Sequence, residues 1–228
     1  MITWRRLPML GLAVLSACTC VRLAELESNQ PDTAPSEAPV QTFAYNCPDN
    51  YRFVARLESG NELRLFLPEQ TARLIRVPSA SGTRYRDAAG LVFWSKGEEA
   101  LLVTDTVHHR QCRNDPALAV WEHARLNGVD FRAVGNEPGW HMEIREGVSI
   151  HLVTDYGQTS QLFPHPSRTD RHDTSPSTRY VARTDGQTLS VLLSPGSCTD
   201  SMSGQSYPVK VEVQFHDATL MGCGRPLR

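Results

Sequence analysis

The chain has 228 residues, 40% of them apolar and 21% charged, with a formal net charge of −2. These values are ordinary for a globular protein, and the length suits one large or two small domains. The 23 Lys and Arg residues form no run that would track phosphates, so nucleic acid is excluded as a partner.

The chain opens on a segment that reads as an export signal. Arg5 and Arg6 give a positive start, and Leu7 to Leu15 is an apolar core too short to span a bilayer as a stable helix. Leu15-Ser16-Ala17-Cys18 resembles a bacterial lipobox. That likeness implies removal of residues 1–17 and lipid modification of Cys18, whose acyl chains would anchor the protein at about 0.8 kcal/mol per buried CH₂. Thr19 rather than Asp follows Cys18, which in lipoprotein sorting implies the outer membrane, with the protein facing the periplasm. A plain signal peptide that releases a soluble product is the alternative. Residues 18–42, rich in Pro, Ser, Asn, Gln and Glu, read as a flexible tether from the lipid anchor.

From Phe43 the pattern changes to short alternating runs. Phe53, Ala55 and Leu57 alternate with Arg52, Val54 and Arg56, and Leu63, Leu65 and Leu67 with Arg64 and Phe66. Many short strands at close spacing predict a small antiparallel barrel over residues 43–112. Within it, Ser79, Ser81 and Gly82 suit a tight turn, Tyr85 begins an extended run, Asp87 to Gly90 turns the chain, and Leu91 to Trp94 is β-prone. Ser95-Lys96-Gly97 then turns it again. A hairpin returns the chain to the end it left, so the Ser81 and Lys96 turns are predicted side by side on one rim. Trp94 is expected in the core and Tyr85 partly so, and His108-His109 on a strand edge at the surface.

Asp115 to Gly128 predicts the one helix, near 116–127, with Asp115 as N-cap, Pro116 at the first helical position and Ala117, Val120, Trp121 and Ala124 on one stripe. Trp121 is expected to pack this helix on a second region, with an interdomain spacer as the other reading. Residues 113–228 are again strand-rich. Pro164 to Thr178 reads as an exposed polar loop; its His165, Asp170, His172 and Asp173 fit no metal-ligand spacing. The fold class is therefore mainly β, with two small antiparallel β-barrel-like domains.

The paired motifs S-x-S-G-x-x-Y (Ser79 to Tyr85) and F-W-x-K-G-x-x-A (Phe93 to Ala100), inside a cysteine bracket, resemble the MliC/PliC family of bacterial inhibitors of c-type lysozyme. The resemblance covers residues 43–112 and implies an eight-stranded barrel closed by a Cys47–Cys112 disulfide. It also implies a lysozyme-binding surface at Ser81 and Lys96, with Tyr85, Ser79, Gly82 and Gly97 beside them. The segment from Gly135 to Trp140, with Cys198 and Cys223, resembles an uncharacterised bacterial envelope family and, distantly, META-type barrels. Cys198–Cys223 is the second expected disulfide, which leaves Cys20 unpaired or itself lipidated.

These readings predict a c-type lysozyme inhibitor, not an enzyme, that needs no metal and no cofactor. A homodimer stays open. No G-x-S-x-G, H-E-x-x-H or nucleophilic cysteine motif occurs. The competing reading is a structural or ligand-binding envelope lipoprotein whose C-terminal region does the work.

Overall fold

A computed structural model describes residues 40–172 and 176–228. The export signal, Cys18, Cys20, most of the tether and Asp173 lie outside the described residues. No helix among the described residues is long and apolar enough to cross a membrane.

Eight antiparallel strands close into a barrel: β1 (Gln41–Asn46), β2 (Arg52–Ser59), β3 (Glu62–Phe66), β4 (Thr71–Val77), β5 (Thr83–Arg86), β6 (Val92–Lys96), β7 (Glu99–Val103) and β8 (His108–Asn114). The first strand thus begins two residues before Phe43. Alternation works as the sequence predicts: Phe53, Ala55, Leu63, Leu65 and Leu74 fill the interior. Tyr45 stacks on Phe53 at 5.1 Å between ring centres, and Phe93 meets Tyr45 edge-on at 5.6 Å. The seam between β1 and β8 is short, pairing only Tyr45 with Asn114 and Asn46 with Arg113. The Cys47–Cys112 disulfide ties it covalently.

Helix α1 (Pro116–Leu126) starts where predicted, its Asp115 carboxylate accepting from Leu118 N at 3.0 Å. The buried stripe differs from the expected one. Ala119, Trp121 and Ala124 are buried, whereas Val120 is 48% exposed and Ala117 is exposed. The reason is that the helix packs on two surfaces at once. Ala119 meets Ala44 and Val54 on the outside of the barrel. Trp121, on another side, meets Tyr207 and Cys223. Arg56 donates to Asn127 Oδ1 at 2.9 Å, and Asp115 N to Ala44 O at 2.7 Å, so the helix is both the expected packing element and the spacer.

The second region is one sheet of nine strands: β9 (Phe131–Asn136), β10 (Gly139–Arg145), β11 (Ser149–Thr154), β12 (Thr159–Pro164), β13 (Ser167–Arg171), β14 (Ser177–Thr184), β15 (Gln187–Thr199), β16 (Ser206–Phe215) and β17 (Ala218–Pro226). Their order is β12-β11-β10-β9-β17-β16-β15-β14-β13. The sheet curls so that Phe163 of β12 meets Phe215 of β16 edge-on at 5.7 Å, and Tyr180 of β14 donates to Glu146 at 2.7 Å. It is a half-barrel rather than a second closed barrel. Cys198–Cys223 staples β15 to β17 across β16. The expected loop at 164–178 is instead largely strand, because Ser167–Arg171 finds a ladder with Ser177–Val181. Its polar side chains stay at the surface, and Asp170 is held by Arg168 and Thr178.

Candidate functional site

The rim is built by the β5–β6 hairpin and the turns on either side of it. Register pairs Thr83 with Ser95, Arg84 with Trp94 and Tyr85 with Phe93. The turn before β5 therefore lies against the turn after β6. Gly82 marks the contact. Its φ is +67°, which favours glycine, and a β-carbon there would collide with the Ser95 carbonyl and come within 3.2 Å of Lys96 Cβ. The Ser81 turn and the Lys96 turn are thus neighbours at one end of the barrel, as the hairpin argument predicts.

Each predicted residue has a definite place. Ser81 is exposed, and its carbonyl accepts from Trp94 Nε1 at 2.8 Å and from the Ser79 hydroxyl at 3.2 Å. Its own hydroxyl has no partner among the described residues. Ser79 also donates to Gly82 O at 3.0 Å, so its hydroxyl is spent on holding the turn. Lys96 is exposed and makes no ion pair among the described residues. Gly97, at φ +59°, makes the two-residue turn that projects it. Tyr85 takes the core place rather than the interface one: it is 3% exposed, inside the barrel behind the rim, with its ring 6.4 Å from Phe93. Burial raises its phenol pKa, partly offset by Arg76 beside it.

Trp94 is a correction. It is 38% exposed on the outer wall, not in the core. The signal was present in the sequence, since Phe93 points inward and its neighbour on a strand must point outward. Placed there, the indole props the Ser81 turn. His109 is the converse case. It is 7% exposed, stacked on Tyr51 at 3.9 Å, with Nδ1 2.6 Å from Asp49. Glu98 accepts from Asn114 Nδ2 and Glu99 pairs with Arg113, both on β8.

Fold and rim together define a disulfide-closed β-barrel with free donors at one end. Residues 45–110 match the model of the MliC family, described as membrane-bound lysozyme-inhibitor of c-type lysozyme, which agrees with the motif resemblance. The match stops before α1 and the half-barrel. No curated protein and no solved structure matches the chain.

Proposed function

We propose that this chain is an outer-membrane lipoprotein, anchored through Cys18 and facing the periplasm, that inhibits a c-type lysozyme by inserting the Ser81–Lys96 rim into the enzyme's cleft. The observation that carries this reading is the packing of Gly82 against Ser95 and Lys96, which holds the two free donors on adjacent turns. A glycosidase of this kind holds two carboxyl groups about 5 Å apart across the scissile bond. A protein that fills such a cleft needs no chemistry of its own. An ammonium brings three donors and a full charge to one carboxylate, and a hydroxyl donates to the other. The propped Ser81 turn arrives pre-shaped, so little ordering entropy is lost on docking.

The test is a titration of a c-type lysozyme with the protein and its Lys96→Ala variant. The expected loss is about 30- to 1000-fold in inhibition constant, the range of a central interface residue. Equal inhibition by both forms would remove the rim from the account. The second reading, a ligand-binding envelope lipoprotein, is favoured by a groove of about 350 Å³ in the half-barrel, lined by Asn136, Glu137, Thr199, Asp200 and Lys210 among others. It predicts that the full chain captures no c-type, g-type or i-type lysozyme in a pull-down.

A further inference from the structure

We propose that the groove on the half-barrel binds a short peptide with both termini free, its carboxylate toward Lys210 and its ammonium toward Glu137. The groove holds about 350 Å³, within the size of small-ligand sites. It crosses three neighbouring strands. Val134 of β9 pairs with Cys223 of β17, Cys223 pairs with Lys210 of β16, and all three line it. Its floor is apolar, made by Val134, Met221 and the Cys198–Cys223 disulfide. The Ser81–Lys96 rim belongs to the barrel, so this site stands whether or not the rim inhibits a lysozyme.

Two observations mark the groove as a docking surface. The first is that the three most exposed large hydrophobic side chains among the described residues all frame it: Met202, Tyr156 and Met221, at 80%, 77% and 59%. Met221 lines it, and Met202 follows Asp200 and Ser201, which also do. Tyr156 lies with its ring against Gly139, whose strand partner Asn136 is on the groove wall. Exposed apolar groups gathered in this way mark interaction sites, and Tyr and Met are favoured there. The second is that the walls are fixed before anything binds. Asn136 Nδ2 donates to Asp200 Oδ2 at 2.9 Å and to Ser201 Oγ at 3.1 Å, which ties β9 to the loop after β15. The buried Asp200 also accepts from Ser203 N at 2.7 Å and Met202 N at 3.2 Å, so it shapes that loop. Asp155 and Tyr156 are both left-handed, with φ of +52° and +56°, a costly arrangement for non-glycine residues that recurs at ligand clamps.

The ligand's chemistry follows from the charges. Glu137 and Lys210 are exposed on the groove, and neither makes an ion pair or a side-chain hydrogen bond among the described residues. Glu137 stands three residues beyond Val134, and Lys210 two strands away from it. Two strand spacings of about 4.8 Å and three residues of about 3.3 Å set their α-carbons roughly 14 Å apart. A single amino acid carries both charges on one carbon and reaches only one anchor. Three extended residues span about 10 Å, and the reach of the two long side chains covers the rest. Asn136, Thr199 and Ser201 offer hydrogen bonds to the peptide units. The methionines adapt to apolar side chains of more than one shape.

The full-length ¹⁵N-labelled protein is titrated with the tripeptide Ala-Leu-Ala while backbone amide shifts are followed. The N-acetylated, C-amidated tripeptide and free leucine are titrated in the same way. The expected result is a saturable shift at Val134, Asn136 and Gly222 with the free tripeptide, and binding at least about fivefold weaker by the blocked form and by leucine. Lys210→Met and Glu137→Gln should each lose about three- to fivefold in affinity for the free tripeptide and leave the blocked form unaffected. Both side chains are exposed, so neither change disturbs the core. No saturable shift with the free tripeptide would overturn the proposal. So would equal binding by the blocked form or by leucine, or unchanged affinity in either folded variant. If a variant does not fold, the three ligands on the unaltered chain decide alone. No lysozyme enters the assay, so its outcome is separate from that of the inhibition titration.

Discussion

The barrel and the half-barrel are both antiparallel, both carry one disulfide, and both fill their concave side with aliphatic and aromatic side chains, yet only one closes. In the barrel the first and last strands meet, briefly, and a disulfide lies at that seam. In the half-barrel the first and last strands of the chain segment, β9 and β17, pair in the middle of the sheet, and the free edges are β12 and β13. Its disulfide lies within the sheet, far from any edge that closure would need. The lesson is that closure depends on where the termini of a segment meet: joined at the outer edges they make a barrel, joined in the middle they leave edges. The closed form supplies a rigid end for a rim. The open form exposes a groove beside its staple.

The largest test breaks the joint between the two regions. Trp121 stacks on Tyr207 at 5.1 Å, with Arg225 over its ring at 4.8 Å. Trp121→Ala should cost about 3–5 kcal/mol, the usual penalty for a buried indole. Denaturant unfolding followed by barrel and half-barrel amides should then show the loss in the half-barrel, with the barrel transition less affected. A loss shared equally would mean that the two regions fold as one.

The next test contrasts the staples. The loops closed span 65 and 25 residues. On the chain-entropy model, removal costs roughly 4 kcal/mol for Cys47–Cys112 and roughly 3.5 kcal/mol for Cys198–Cys223. The free energies are close, so the sharper readout is hydrogen exchange. Replacing Cys47 and Cys112 by Ala should unprotect β1 and β8 selectively. Replacing Cys198 and Cys223 should leave the β16 ladder protected, because it is paired on both sides.

The smallest effect is acid sensitivity. In the barrel, the hydrogen bond from His109 is the main cause that holds the Asp49 carboxyl below its ordinary value of 3.8. In the half-barrel, burial raises the Asp200 carboxyl, but hydrogen bonds from Ser203, Asn136 and Met202 outweigh it and the net shift is again downward. A depressed carboxylate stabilises above its unfolded value, and that contribution is lost as pH falls through the folded one. Both regions should therefore weaken below about pH 4. Asp49→Asn should lower barrel stability at neutral pH and flatten its acid limb, and Asp200→Asn should do the same in the half-barrel. Melting curves between pH 7 and about pH 2 check this, and an acid limb left intact in either variant would assign it to other carboxylates.

Much of the molecule was legible from residue order alone. The alternation of Phe53, Ala55, Leu63 and Leu65, the Asp115-Pro116 helix start, the two disulfides and the adjacency of the Ser81 and Lys96 turns all follow from local periodicity, turn chemistry, motif likeness and cysteine placement. The alternation, the helix start and the turns are short-range features, for which short-range physics suffices; the disulfides follow from motif likeness and from which cysteines bracket each segment. What residue order did not decide is which polar or aromatic groups are covered. His109 was buried because a distant Asp49 and Tyr51 receive it, and Val120 was left bare because α1 packs along two other lines. Ser167–Arg171 became a strand only because Ser177–Val181 lies opposite. Whether a sheet closes depends on contacts between residues far apart in the chain, and only the tertiary structure supplies those.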